Sequence, residues 1–196
     1  DQPLGMYIGN SLEVMEAMEV LKGNVKGDLL EVSLLLGTHM LLLAGRVQTE
    51  AEGKALLQQQ IDNGAGIAKF RELLIQQGGN PAIIEQPDLL PLSPCSLEVK
   101  AKKSGYLTHM DTAKIGRASQ ETGAGRAFKE QPLDFGAGII TKKRLGDYVE
   151  VGEVLAVIYS ATDKACASAA EIFQSALTIS AEKAPLPPLV LNIISA

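Results

Sequence analysis

Apolar residues recur at helical spacing through roughly the first eighty positions, then alternate with polar ones after a proline-rich break. The chain opens with Gly5 and Gly9 bracketing an apolar triplet, which reads as a strand end where the backbone turns into a helix. A first helix is predicted from Ser11 to Leu21, with Val14, Met18 and Leu21 as its stripe. Asn10 is its expected cap and Glu13 reaches back, a capping-box arrangement. A second helix is capped by Asp28, with Glu31 three residues on. It is apolar nearly all round, from Leu29 to Leu43, which predicts a central position covered on several sides. Within it, Gly37 reads as a point of close approach and His39 as a hydrogen-bonded core histidine rather than a catalytic one. A third helix starts at Thr49, with Glu52 in the capping-box position, and ends near Asn63-Gly64. A fourth spans Gly66 to Gln77 with Ile67, Phe70, Leu73 and Leu74 on one face. These helices, without a strand among them, read as the flank of a sheet whose strands lie elsewhere.

Pro87, Pro91 and Pro94 mark a boundary, giving two expected domains, 1–90 and 91–196. Beyond it the period becomes two. Strands are predicted at Leu97–Lys102, from Gly105, at Gly138–Thr141, Asp147–Val149 and Val154–Tyr159. Asp163 is the expected cap of a helix reaching Leu177, and Leu189–Ile194 the closing strand. The expected fold class is therefore α/β followed by α+β. Gly146-Asp147-x-Val149-x-x-Gly152-Glu153-x-Leu155 resembles the hairpin of biotinyl and lipoyl carrier domains, which implies a barrel-sandwich shape. A carrier function needs a lysine on a hairpin turn. Here a long insertion, Thr108 to Asp134, stands instead, and Lys114 lies in a poorly matching context.

Composition narrows the classes. Hydrophobic residues make up 46% and charged residues 21%, as in ordinary globular chains. A net charge of −5, 4% aromatics and no tryptophan argue against nucleic acid as a partner. Cys95 and Cys166 stand far apart without a metal-spaced partner, which fits a reducing, cytoplasmic setting. The apolar runs are far shorter than the roughly 20 residues a membrane span needs.

Candidate chemistry is sparse. Gly64-Ala-Gly66, Gly123-Ala-Gly125-Arg126 and Gly136-Ala-Gly138 are glycine-rich, yet none carries the Lys-Ser/Thr of a phosphate-cradling loop or full dinucleotide spacing. Arg126 beside flexible glycines suits a loop closing over an anion; a plain mobile insertion is the alternative. Two histidines and two cysteines assemble no nucleophilic constellation. Glu16, a turn past Glu13, is either a solvated side chain or a carboxylate facing the carbonyls of the Leu4–Tyr7 turn, an oxygen set suited to a hard cation.

Asp1-Gln-Pro-Leu-Gly-x-x-x-Gly-Asn-Ser-Leu-Glu-Val-x-Glu-Ala, Leu21-Lys-Gly, Gly37-x-His39-Met, Gly123-Ala-Gly-Arg126 and Gly146-Asp-x-Val-x-x-Gly-Glu153 together resemble, in order, the pyrimidine-nucleoside and thymidine phosphorylase family. The resemblance corresponds to its carboxyl-terminal half, making residues 1–90 the helical part of a truncated α/β phosphate-binding domain. It implies a pentosyltransferase that cleaves uridine or thymidine reversibly with phosphate, giving the base and a pentose 1-phosphate. Positioning phosphate and stabilising charge on the leaving base would be the enzyme's main contributions.

The family's phosphate loop and base-holding residues are expected upstream of Asp1. No catalytic residue is therefore assigned, and the 196 residues are expected to be inactive alone. Three further expectations follow from the resemblance. The carbonyls of Leu4 and Tyr7 and the carboxylate of Glu16 match part of a potassium or calcium site. Arg126 falls on a loop bordering the substrate cleft. Full-length members are cytoplasmic homodimers acting on pyrimidine nucleoside and phosphate, with no organic cofactor, nucleic acid or membrane. The competing reading is a non-catalytic binding or carrier module built on the barrel-sandwich half.

Overall fold

The computed structural model describes residues 1–194, which form a mixed fold of helices and antiparallel sheets. By compactness the chain divides into two units. One contains Asp1–Val14 and Leu90–Pro187; the other contains Met15–Leu89 and the segment from Pro188. The division falls inside the first helix, α1 (Ser11–Leu21).

The first unit holds the strands. β2 (Cys95–Lys100) alternates apolar with polar side chains and buries Val99, whereas β6 (Val154–Ser160) is apolar nearly throughout and buries Leu155, Ala156 and Ile158. The two pair antiparallel from Cys95↔Ser160 to Val99↔Ala156, with an irregularity at Val99/Lys100. β4 (Gly138–Thr141) lies on the other side of β6, and β1 (Tyr7–Gly9) pairs with β4, giving the order β1-β4-β6-β2. A smaller sheet has the order β5 (Tyr148–Val149), β3 (Gly105–Met110), β7 (Leu177–Ser180). Leu107, Ile139, Val149, Leu155 and Ile158 from the strands form one core with Ile115 of α5 (Thr112–Glu121) and Phe173 of α6 (Asp163–Ser175). Each such side chain, once buried, contributes about 1.5–3 kcal/mol.

The amino-terminal segment is bound into this unit along its length. The Asp1 carboxylate accepts from the Thr112 N–H, and Gln2 Oε1 accepts from the Leu145 N–H at 3.0 Å. Arg144 Nη1 donates to the carbonyls of Pro3 at 2.8 Å and Gly5 at 3.2 Å. The Met6 carbonyl accepts from both the N–H and the hydroxyl of Thr141.

The second unit is helical, with no strand among its described residues. α2 (Asp28–Leu43) packs on α3 (Glu50–Asp62), followed by α4 (Ala65–Gln76) and two short 3₁₀ turns. Val20, Leu30, Leu34 and Ile61 form its small core. Close approach occurs as expected at Gly37, where an added Cβ would lie 2.8 Å from Leu57 Cδ1. At α3 the expected cap is present, Thr49 Oγ1 accepting from the Glu52 N–H, while Glu52 reaches one residue past the capping-box position to accept from the Gln48 N–H.

Several sequence expectations need correction. α2 is not covered on all sides: α3 packs on the side that carries Thr38, while Leu36, Met40 and Leu43 are 60%, 71% and 90% exposed. Its cap residue is Gly27, and Asp28 is the first helical residue. His39 is only partly buried, and its Nε2 lacks a hydrogen-bond partner among the described residues; the Glu50 carboxylate lies 3.9 Å away. No residue of α4 is fully buried. α6 is capped by Thr162, whose hydroxyl accepts from the Ala165 N–H at 3.2 Å, and not by Asp163. Leu189–Ile194 forms no strand. The small sheet is completed instead by β7, which begins at Leu177, the expected end of α6, and has no counterpart among the predicted strands.

Candidate functional site

The end of β1 leads into α1 through a tightly held corner. The Ser11 N–H donates to the Phe135 carbonyl at 3.0 Å. Glu13 Oε1 accepts from the Gly9 N–H at 3.0 Å, one residue earlier than a capping box would place it. The Asn10 side-chain amide donates to the Ala124 carbonyl at 2.9 Å, so its NH₂ ties the corner to the loop after α5.

α5 is the second wall. Asp111 caps it, its Oδ1 accepting from the Lys114 N–H at 3.0 Å. That backbone hydrogen bond, with the Lys114 charge, holds the Asp111 carboxyl below the usual carboxylate range. Helical spacing gives α5 two faces. Ile115 and Ala118 enter the core, while Ala113, Gly116, Arg117 and Gln120 line an open cleft. The helix end is fixed by Thr122, whose hydroxyl donates to the Ser119 carbonyl and whose carbonyl accepts from the Ser160 hydroxyl.

The third wall is the Ala124–Arg126 loop. Gly123 turns the chain with φ +102°, and its carbonyl accepts from the Asp134 N–H. The Arg126 carbonyl accepts from the Gln120 amide, so the loop backbone is held while the side chain is exposed. The resulting cleft has a volume of about 470 Å³ and lies wholly within the first unit. Arg117, Arg126 and Glu13 are its charged groups.

Of the residues singled out from sequence, Arg126 lines this cleft. Leu4 lies in the exposed opening segment and Tyr7 at the start of β1, opposite Ile140. Glu16 is in α1, 5% exposed, among the residues of the second unit. Two carbonyls and a carboxylate make an all-oxygen donor set, the chemistry a hard cation takes. Among the described residues there is no cluster of three or more His, Cys, Asp or Glu arranged for a metal. Arg117 escaped sequence reading. Its signal was the helical spacing Ala113, Gly116, Arg117, Gln120, legible only once α5 was known to continue past Lys114.

Neither cysteine is poised as a nucleophile. Burial, with Asp163 nearby, pushes the Cys95 thiol up; burial, with Cys95 and Asp163 nearby, does the same for Cys166. Lys114 sits within α5 and pairs with Asp111 at 3.6 Å, so it is not displayed on a hairpin turn. No described helix is long and apolar enough to cross a membrane.

Residues 106–180 match the Pyrimidine nucleoside phosphorylase C-terminal domain. The chain is 46% identical over 160 residues to a pyrimidine-nucleoside phosphorylase of Staphylococcus aureus strain bovine RF122 / ET3-1, and 45% identical to that of strain USA300. It belongs to the pyrimidine-nucleoside phosphorylase family. In each case the match covers 82% of this chain and 37% of the relative, so the chain spans little more than a third of the relatives' length. The α5 and loop walls of the cleft fall inside the matched C-terminal domain; the β1–α1 corner precedes it.

Proposed function

We infer that the chain is the carboxyl-terminal part of a pentosyltransferase that cleaves pyrimidine nucleosides reversibly with phosphate. The observation that carries this reading is the 45–46% identity to pyrimidine-nucleoside phosphorylases over 82% of the chain. In the reaction the bond from the sugar to the base nitrogen breaks, a phosphate oxygen takes its place, and the base leaves with the bonding electrons. On this reading residues 1–90 are the helical part of the α/β phosphate-binding domain. Residues 91–196 are the carboxyl-terminal domain, and the turn from Gly146 to Glu153 is a barrel-sandwich hairpin.

The parent enzyme is a cytoplasmic homodimer whose ligands are pyrimidine nucleoside and phosphate. It needs no organic cofactor, nucleic acid or membrane. Arg126 borders its substrate cleft. Leu4, Tyr7 and Glu16 would contribute three oxygens to a potassium or calcium site, which orders the structure around the phosphate rather than reacting. The carrier-module alternative is disfavoured because Lys114, its candidate attachment point, is a helical, ion-paired residue.

The 196 residues alone are inactive on this reading. Uracil release from uridine and phosphate is expected from a chain extended to the relatives' full length and not from the 196 residues. Release by the short chain would overturn the inactivity. A full-length chain without phosphate-dependent release would overturn the enzyme itself.

A further inference from the structure

Cys95 and Cys166, to which the proposed phosphorolysis gives no role, are 71 residues apart in the chain and adjacent in the fold. Both belong to the first unit. Cys95 opens β2, opposite Ser160 at the end of β6. From Ser160 the chain turns through Ala161 and Thr162 into α6, which packs back on β2 and carries Cys166 in its first turn. The Cys166 sulfur lies 3.7 Å from the Cys95 carbonyl oxygen and 3.9 Å from that of Ile158. The Cys95 sulfur lies 3.6 Å from the Ala161 carbonyl oxygen, so it points towards the same start of α6. Both thiols are free. They differ in access: Cys166 is 1% exposed, whereas Cys95 is only partly buried.

A disulfide joins Cα atoms about 4.4–6.8 Å apart, and a sulfur in contact with its partner's own backbone has the approach this requires. We propose that Cys95 and Cys166 form an oxidation site, at which a peroxide closes them into a disulfide that braces β2 against α6. Peroxide meets the more accessible Cys95 first. Its sulfur takes one oxygen, the O–O bond breaks, and a sulfenic acid and a water result. The Cys166 sulfur then attacks the Cys95 sulfur, the S–O bond breaks, and the hydroxide departs as water with the Cys166 proton. Each thiol has given up one electron, and the peroxide has become two waters. Proximity favours the second step. Burial and the nearby Asp163 carboxylate hold both thiols up, so bridging is slow at neutral pH and quickens as pH rises. In a reducing cytosol the pair rests as thiols.

Hydrogen peroxide added to the folded, reduced 196-residue chain tests the proposal, with thiols alkylated and peptides mapped by mass spectrometry. One peptide pair joined through Cys95 and Cys166 is expected, reversed by dithiothreitol. The bridge constrains the unfolded chain, so the oxidised protein should unfold at a urea midpoint higher by roughly 1 M. In Cys166→Ala the Cys95 sulfenic acid has no resolving thiol, and dimedone should trap it several-fold more than in the parent. Should that variant misfold, Cys95→Ala serves in its place, and its buried Cys166 should stay reduced under the same treatment. No internal bridge, a bridge formed only in urea, or a disulfide between two chains instead would overturn the site. An unchanged urea midpoint would overturn the brace, and equal dimedone trapping in parent and Cys166→Ala would overturn the order of steps. None of these measurements involves a nucleoside, so this site and the phosphorylase reading fail separately.

Discussion

Gly9 and Gly138 are partners across the β1–β4 ladder, and each occupies the space where the other strand would meet a side chain. Their φ values are +150° and +149°. A Cβ on Gly9 would lie 2.6 Å from the Ala137 carbonyl oxygen, and one on Gly138 would lie 2.2 Å from that of Ile8. Both obstacles are backbone, so neither can rotate away. Gly9→Ala and Gly138→Ala are each expected to cost at least about 1–3 kcal/mol, the scale of a strained backbone position. Urea unfolding would show it as a lower midpoint. An unchanged midpoint for both would mean that β1 does not pair with β4 in solution.

Arg144 holds the opening segment at Pro3 and Gly5 through one guanidinium nitrogen. Truncation leaves two carbonyls without these bonds. Arg144→Ala should lower stability by about 1.5–3 kcal/mol and raise amide hydrogen exchange along β1 more than along β6. Equal protection in β1 with and without the arginine would contradict the clamp.

The Asp111 cap gives α5 a pH dependence. Its carboxyl is held low in the folded chain, chiefly by the Lys114 backbone N–H. A depressed folded value means the contribution is present above the unfolded pKa of about 4 and is lost as pH falls through the folded value. Thermal unfolding of the Asp111→Asn variant should therefore show a shallower loss of Tm below about pH 4 than the parent. Parallel curves would remove Asp111 as a contributor.

Glu16 is tested in a chain extended to the relatives' length, on the proposed phosphorylase reading. Glu16→Gln keeps the shape of a side chain that is 5% exposed while removing its negative charge. The response of phosphorolysis to added potassium or calcium should weaken severalfold. An unaltered response would take Glu16 out of the ligand set.

Local chemistry was legible in the sequence wherever a few neighbouring residues decide the outcome. α1 spans Ser11–Leu21 as its periodicity indicates, and Thr49 caps α3 as expected, its hydroxyl accepting from the Glu52 N–H. β4 and β6 fall where their runs of β-branched and apolar residues place them. What stayed illegible depends on distant residues. Nothing near Tyr7 announces that its strand pairs with Ile140, because register between remote segments has no local signature. The exposure of Leu36, Met40 and Leu43 was hidden for the same reason: periodicity says which side is apolar, not what covers it. The site divides likewise. Arg126 stood out by its glycines, whereas Arg117 became visible only when α5 brought it to the same cleft.

The placement of β1 has a consequence for anyone trimming this chain. It is the outermost strand of its sheet, and it occupies the hydrogen-bonding side of β4 that faces away from β6. Excising the matched domain alone, or starting at the proline-rich break, would bare that row of N–H and C=O groups beside Ile139 and Ile140. An unguarded row of this kind is a template for another copy's strand. A shorter piece would thus trade an intramolecular lid for self-association.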